Sequence, residues 1–372
     1  MRGSALNQYS FLFAVLLLVV VVLLQIQTVK PVISPQRSTS YFRTSNDSFI
    51  ICGRTIHQPL GKHDSSIDNM VSTIEPNGTV IIGYDDMHHV QTNNHINAFL
   101  HALDFAFDQN MQLQIIENSW VHNSLLKLFQ VHGIPTVTNH VLTTLNSSTF
   151  LKSGDEMYYY HTRIPLVEKR NRRVEMLRYL WTHPSLDTCS VVQELSLPSQ
   201  YVVIHNRWMK HDGCLNRLGN LAFIIKNRTG IEVDRRAPCL LEPSYIKGIL
   251  QNNGMLDTSI PIYVIGDGIN LDIIHNLQLD LDIGSRVKTV PKSISNVCGD
   301  MMLAVLSSLF IGTPISTLSG NVARARIALG FDERTNILFP KKRSNVTSND
   351  WEFICQTMDC LLDTTFMHNY VG

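Results

Sequence analysis

The feature that most constrains this chain is an alternation. From Tyr201 onward, short apolar runs rich in β-branched residues take turns with segments of helical period. "YVVIH" reads as a buried strand. "CLNRLGNLAFIIKN" and a segment near "EPSYIKGILQNNG" read as helices. Strand "IPIYVIGD", helices "GINLDIIHNLQ" and "GDMMLAVLSS", strand "LFIGT" and helix "SGNVARARIALG" follow. Such alternation implies parallel sheets with helices on both faces, an α/β class. The same pattern occurs earlier. "TVIIGY" is a short strand, and "NNHINAFLHALDFAFDQNM" sets Ile96, Phe99, Leu100, Leu103 and Phe107 on one helical face. "QLQII" is the next strand, which completes a βαβ unit. "SWVHNSLLKLFQVHGI" and "EKRNRRVEMLRYLW" read as further helices, and the basic run Lys169, Arg170, Arg172, Arg173 reads as a solvated helix face. The pattern restarts near residue 200, so two domains are expected, 71–195 and 196–372. There is no short-period repeat.

The amino-terminal part differs. "FLFAVLLLVVVVLLQI", Phe11 to Ile26, has Gln25 as its only polar residue. A helix of that length spans roughly 24 Å, or about 30 Å if Tyr9 to Val29 join it. No small-x-small cleavage site follows in "QIQTVKP". The reading favoured is therefore an uncleaved anchor over 11–29 behind a tail of residues 1–10, with a cleaved signal peptide as the second reading. Residues 30–70, rich in Ser, Thr, Pro and Asn up to about Ser66, read as a stem, and ordered structure is expected to begin near Thr79. Orientation signals conflict. Arg2 precedes the anchor while Lys30, Arg37 and Arg43 follow it, against a lumenal body. Five N-x-[ST] sequons, at Asn46, Asn77, Asn146, Asn227 and Asn345, argue for one.

Lys+Arg equals Asp+Glu at 31 each, so no basic footprint for nucleic acid exists. The seven cysteines include no C-x-x-C, which speaks against a zinc ribbon or a thioredoxin-type site. Cys214 with Cys239 and Cys355 with Cys360 are plausible pairs in an oxidising lumen, though spacing does not fix connectivity, and an odd total leaves one thiol over.

Ligands of open parallel sheets bind beyond the carboxyl ends of the strands. Three polar clusters fall there: His205 and Arg207 after "YVVI", Asp267 after "IYVIG", and "GTPIST", Gly312 to Thr317, after "LFI" and just before a helix. The last has the makings of an anion site, with a Gly-Pro turn, the hydroxyls of Ser316 and Thr317, and a helix amino end behind them. Arg207 offers a planar fork for phosphate. Taken singly, each has a plainer role: a satisfied structural histidine, an aspartate cap, Ser-Thr capping. Their joint placement in one domain favours a nucleotide or diphosphate-sugar site.

These residues resemble the GDP-fucose-dependent fucosyltransferase superfamily, in particular its protein O-fucosyltransferase-like branch. The resemblance rests on H-x-R at His205-Asn206-Arg207, on "IYVIGD" ending in Asp267, and on "GDMMLAVLSSLFIGTPISTLSGNVARAR". "TNNHINAFLHALDFA" is similar to that family's G-N-Q loop and first helix, with Asn93-Asn94 standing for Asn-Gln and the glycine missing. The resemblance implies a GT-B fold: two Rossmann-like domains facing a cleft, 71–195 on the acceptor side and 196–372 binding the nucleotide sugar. It implies inverting transfer of fucose from GDP-fucose to a hydroxyl of a glycoprotein or glycan, without a bound metal or other cofactor. Arg207, with His205 beside it, would stabilise the departing diphosphate. Ser316 and Thr317 in the Gly312 turn would hold phosphate oxygens, Asp267 and Asp300 would lie near the guanosine, and Asn93 or Asn94 would reach across. The setting expected is a single-pass type II protein of the Golgi or ER membrane. "LDLDIG", with Asp280 and Asp282, follows a helix and reads as surface or strand, not as a metal site. Asp85, Asp86 and Asp212 are candidates for a general base. "WMKHDGC" after Arg207 departs from the R-G-D of several fucosyltransferase branches, which leaves the acceptor class open. The rival readings are a GT-B transferase using another nucleotide sugar and an inactive membrane-anchored glycan-binding protein of the same fold.

Overall fold

The computed structural model describes residues 48–57, 79–82, 92–108, 112–130, 136–137, 166–207, 213–266, 271–342, 352–354 and 356. The anchor and tail expected over 1–29 lie outside these. Among the described residues no helix is long and apolar enough to cross a membrane.

Ordered structure begins earlier than Thr79. Strands β1 (Ser48–Ile51) and β2 (Arg54–His57) form an antiparallel hairpin within the expected stem. Its two turn residues, Cys52 and Gly53, both have positive φ, 51° and 78°. That is the backbone of a tight two-residue hairpin turn, and Cys-Gly is an uncommon spelling of it. Ile51 and Ile56 are buried, and Cys52 is disulfide-bonded to Cys189.

The first βαβ unit is present as read. β3 (Thr79–Ile82), α1 (Thr92–Asp108), β4 (Gln112–Ile116), α2 (Trp120–Leu128) and β5 (Thr136–Val137) give a parallel sheet of order β3-β4-β5. Two helices follow, α3 (Leu166–Thr182) and α4 (Leu186–Glu194). The basic run of α3 is not wholly solvated. Arg173 is 3% exposed, and its guanidinium lies 3.2 Å from Nδ1 of His101 on α1, because α3 is sandwiched between α1 and later elements.

The second half carries β6 (Val202–Asn206), α5 (Gly213–Thr229), the short α6 (Ala237–Leu240), α7 (Pro243–Asn252), β7 (Ile262–Gly266), α8 (Leu271–Leu279), β8 (Val287–Thr289), α9 (Val297–Val305), β9 (Leu309–Ile311), α10 (Thr317–Ala328) and β10 (Asn336–Ile337). Its five strands pair in parallel in the order β10-β9-β6-β7-β8. A small antiparallel pair, β11 (Phe339–Pro340) and β12 (Phe353–Ile354), lies after it.

Strand β6 is buried at every residue, as expected for the centre of a parallel sheet covered on both faces. Its alternate side chains feed two cores. Val202 and Ile204 join one with α7, while Tyr201 and Val203 join a larger one. The larger core runs without a break from Ile51 and the first sheet to α9 and α10. Helix α10 lies inside it. Three quarters of its residues are buried, and small Gly320, Ala323 and Ala325 permit close approach to neighbours. Arg326, fully buried on α10, donates from Nη1 to the carbonyls of Ala304, Val305 and Ser307 at the carboxyl end of α9, and from Nε to Asn336 Oδ1 at 2.8 Å. The guanidinium thus meets the negative end of the α9 dipole instead of a carboxylate. A second disulfide, Cys214–Cys239, ties α5 to α6, a pairing that spacing alone left open. Cys298, on α9, is the free cysteine among the described residues, and it is buried.

Candidate functional site

Sequence order places the site. From β6 the chain steps to β7 and β8 on one side, then returns to β9 and β10 on the other. The winding reverses between β6 and β9, and in an open parallel sheet the crevice beyond the carboxyl ends at such a reversal is the ligand position. His205, Asn206 and Arg207 lie at the end of β6, and Gly312 to Ser316 at the end of β9.

The two strand ends are laced together. The Thr313 hydroxyl donates to the His205 carbonyl at 2.8 Å and accepts from the Arg207 backbone N–H at 3.3 Å. Nδ1 of His205 lies 2.8 Å from Oγ of Ser319, in the first turn of α10. Close approach requires glycine on both sides. A Cβ on Gly266 would sit 2.2 Å from the Asn206 carbonyl oxygen, and one on Gly312 would sit 2.5 Å from Leu338 Cδ2 and 2.9 Å from Ser319 Cβ.

His205 is 3% exposed. Burial, and secondarily the Arg207 charge, push its ring down to about 3, so it is neutral at any physiological pH. A neutral ring bonded to Ser319 positions the strand end and does not carry charge. Arg207 is half-buried. The amino end of α10 has its own character. Ser119, Ser185 and Asn296 each cap their helices through the side chain. Ser316, the N-cap of α10, makes no side-chain cap bond. The plain capping role that sequence allows for Ser316 is therefore not the one it plays. First-turn N–H groups and the positive dipole end remain directed at the same crevice as Arg207.

The remaining candidates divide. Gly312, Ser316 and Thr317 belong to this cluster. Asp267 lies outside the described residues, as do Asp85, Asp86 and Asp212. Asn93 and Asn94 are in the first turn of α1, with side chains outside the description. Asp300 is in the first turn of α9, 7% exposed. Ser295 Oγ donates to its Oδ2 at 3.0 Å while Oδ1 has no hydrogen-bond partner among the described residues, and burial, opposed by that bond, pushes its carboxyl up to about 6. Asp280 and Asp282 form ion pairs with Lys247 at 3.1 and 2.9 Å. Among the described residues no group of three or more His, Cys, Asp or Glu could hold a metal ion. Asn227 is exposed in the last turn of α5, and the other four sequons, with Cys355 and Cys360, lie outside the described residues. Sequence reading put Thr313 inside the Gly312 to Thr317 stretch without a role of its own, and it missed Ser319. The only signal for them is their place beside the strand end, since hydroxyls there are commonplace.

No protein-family model and no curated protein matches the chain. Solved structures do. The chain is similar to POFUT1 in complex with GDP-fucose, at 14% identity over 72% of this chain and 99% of that one, with TM-score 0.46. POFUT1 in complex with GDP aligns at 16% identity over 71% of this chain and 99% of that one, with TM-score 0.43. The NodZ alpha-1,6-fucosyltransferase soaked with GDP-fucose aligns at 11% identity over 68% and 93%, with TM-score 0.31.

Proposed function

We propose that the chain is an inverting glycosyltransferase that moves fucose from GDP-fucose to a hydroxyl of a glycoprotein or glycan. The observation that carries this reading is that Arg207, at the end of β6, and the side-chain-uncapped amino end of α10, after β9, follow the two strands that flank the winding reversal. A departing diphosphate gains negative charge as the sugar C–O bond breaks, and preorganised donors aimed at that charge lower the barrier. The Arg207 guanidinium, the first-turn N–H groups of α10 and the hydroxyls of Ser316 and Thr317 are such donors. His205, Thr313 and Ser319 hold them in place. A general base for the acceptor hydroxyl belongs to the other wall.

The arrangement proposed is GT-B, with Rossmann-like domains 71–195 and 196–372 and the Asn93-Asn94 end of α1 reaching toward the sugar. Asp267 and Asp300 stand toward the guanosine. The setting proposed is a Golgi or ER membrane, with a lumenal body behind the 11–29 anchor and the 30–70 stem. Two disulfides support an oxidising compartment, and the exposed Asn227 sequon is compatible with it.

The test is calorimetric titration of the full-length chain with GDP, beside turnover of GDP-fucose. Wild type binds GDP in preference to UDP, and Arg207→Ala weakens binding by about tenfold to a hundredfold, the loss of one charge-assisted contact at about 1.5–3 kcal/mol. Absence of GDP binding by wild type, or a preference for UDP, sinks the reading.

A further inference from the structure

We infer that Arg324, acting through Asn97, is a positioning residue that sets the amino end of α1 against the amino end of α10. The inference rests on the GDP-fucose reading above and adds a device to it.

Arg324 is on α10 and 3% exposed, and Asn97 is on α1 and 4% exposed. Nη2 of Arg324 donates to Asn97 Oδ1 at 3.1 Å and to Asn321 Oδ1 at 2.5 Å. The bond joins the two halves of the chain across a sequence separation of 227 residues. Neither residue is at the crevice. At 1.5 Å per residue Arg324 lies about 10 Å behind Thr317, and Asn97 about 7 Å behind Thr92. Each lies on a helix whose amino end bears on the reaction: α10 carries Ser316, Thr317 and Ser319, and α1 carries Asn93 and Asn94. Helix α10 is therefore tied to the H-x-R strand end through Ser319 and to α1 through Arg324, besides the bonds of Arg326 to the end of α9.

The chemistry of the tie suits geometry better than stability. The contacts that Arg324 makes with Asn97 and Asn321 are to neutral amides, and Asn97 Nδ2 finds no acceptor among the described residues. Burying an amide donor without an acceptor is unfavourable, and apolar side chains of similar volume commonly replace buried polar groups without loss. Both bonds leave the same nitrogen of a planar group, and the one to Oδ1 settles which way the Asn97 amide faces.

The test compares wild type, the double variant Arg324→Met with Asn97→Leu, and Arg324→Lys, all full-length. The double variant is expected to melt at or above wild type, with kcat for GDP-fucose turnover lowered about tenfold to a hundredfold, the scale of a small misplacement. Its KM for GDP-fucose stays within about twofold, because the grip at Arg207 is untouched. Lysine keeps the charge but ends in a compact, rotatable ammonium in place of the planar guanidinium, and gives wild-type melting and an intermediate kcat. A folded double variant with wild-type kcat overturns the inference, as does one that melts well below wild type, which marks a structural role. Wild type inert toward GDP-fucose overturns the functional reading and this inference together. Active wild type with an equally active double variant overturns this inference alone.

Discussion

At the scale of single residues, burial decides what each ionisable group does. His205 and Asp300 are both buried, and burial drives them in opposite directions. His205 is held neutral as a base, and Asp300 is pushed toward its neutral acid. For Asp300 the folded value of about 6 lies above the ordinary 3.8. The unfolded chain therefore releases this proton first as pH rises. Stability falls between those two values and stays lowered above them. The full penalty is about 3 kcal/mol at 1.36 kcal/mol per unit, and it is only partly developed near pH 5. Asp300→Asn keeps an acceptor for Ser295 and removes the charge. It is expected to raise the denaturation midpoint, with a gain about 1 kcal/mol larger near pH 7.5 than near pH 5. Urea unfolding at the two pH values checks this, and a gain independent of pH would refute it.

At the scale of elements, the hairpin β1–β2 shows what a covalent tie adds. Ile51 and Ile56 dock it, Cys52 binds it to α4, and Arg54 donates to the carbonyls of Leu197, Pro198 and Ser199 at 3.1, 2.6 and 3.3 Å while lying over the Tyr201 ring. The hairpin thus braces the segment that leads into β6. The disulfides close loops of very different span, 137 and 25 residues. In the chain-entropy picture, losing Cys52–Cys189 costs about 1.5 kcal/mol more than losing Cys214–Cys239. Paired Cys→Ser variants, unfolded in denaturant, measure that difference, and equal losses would contradict it. The hairpin also marks where sequence reading stopped. Strands at the centre of a sheet announce themselves, because both faces must be apolar, and "YVVI", "IYVI" and "LFI" were legible for that reason. A hairpin of two four-residue strands, held by a distant cysteine, is too short for its pattern to stand out from a Ser- and Asn-rich stretch. Arg173 misled for a related reason. Charge pattern along one helix does not reveal that His101 of another helix waits to receive the guanidinium.

At the scale of the whole molecule, two sheets share one core, from Ile51 through β3 and α1 to α9, α10 and Phe339. A body built so is expected to unfold in a single calorimetric transition, with the midpoint raised by GDP through mass action, about 2.7 kcal/mol at a hundredfold excess over Kd. Two resolved endotherms would show that the halves melt separately. The parallel class of the sheets was legible, because apolar strands that alternate with helices allow little else. The lacing by Thr313 and Ser319 was not, since it depends on which strands become neighbours. One consequence of that shared core concerns Cys298. Its thiol is buried on α9, which packs on α4, and burial pushes its pKa up to about 11. An alkylating reagent reaches it readily only when the structure around it opens. Peptide-resolved labelling of Cys298 in the native protein is therefore an internal clock for opening. If the core opens as one body, that clock runs with the free energy of global unfolding.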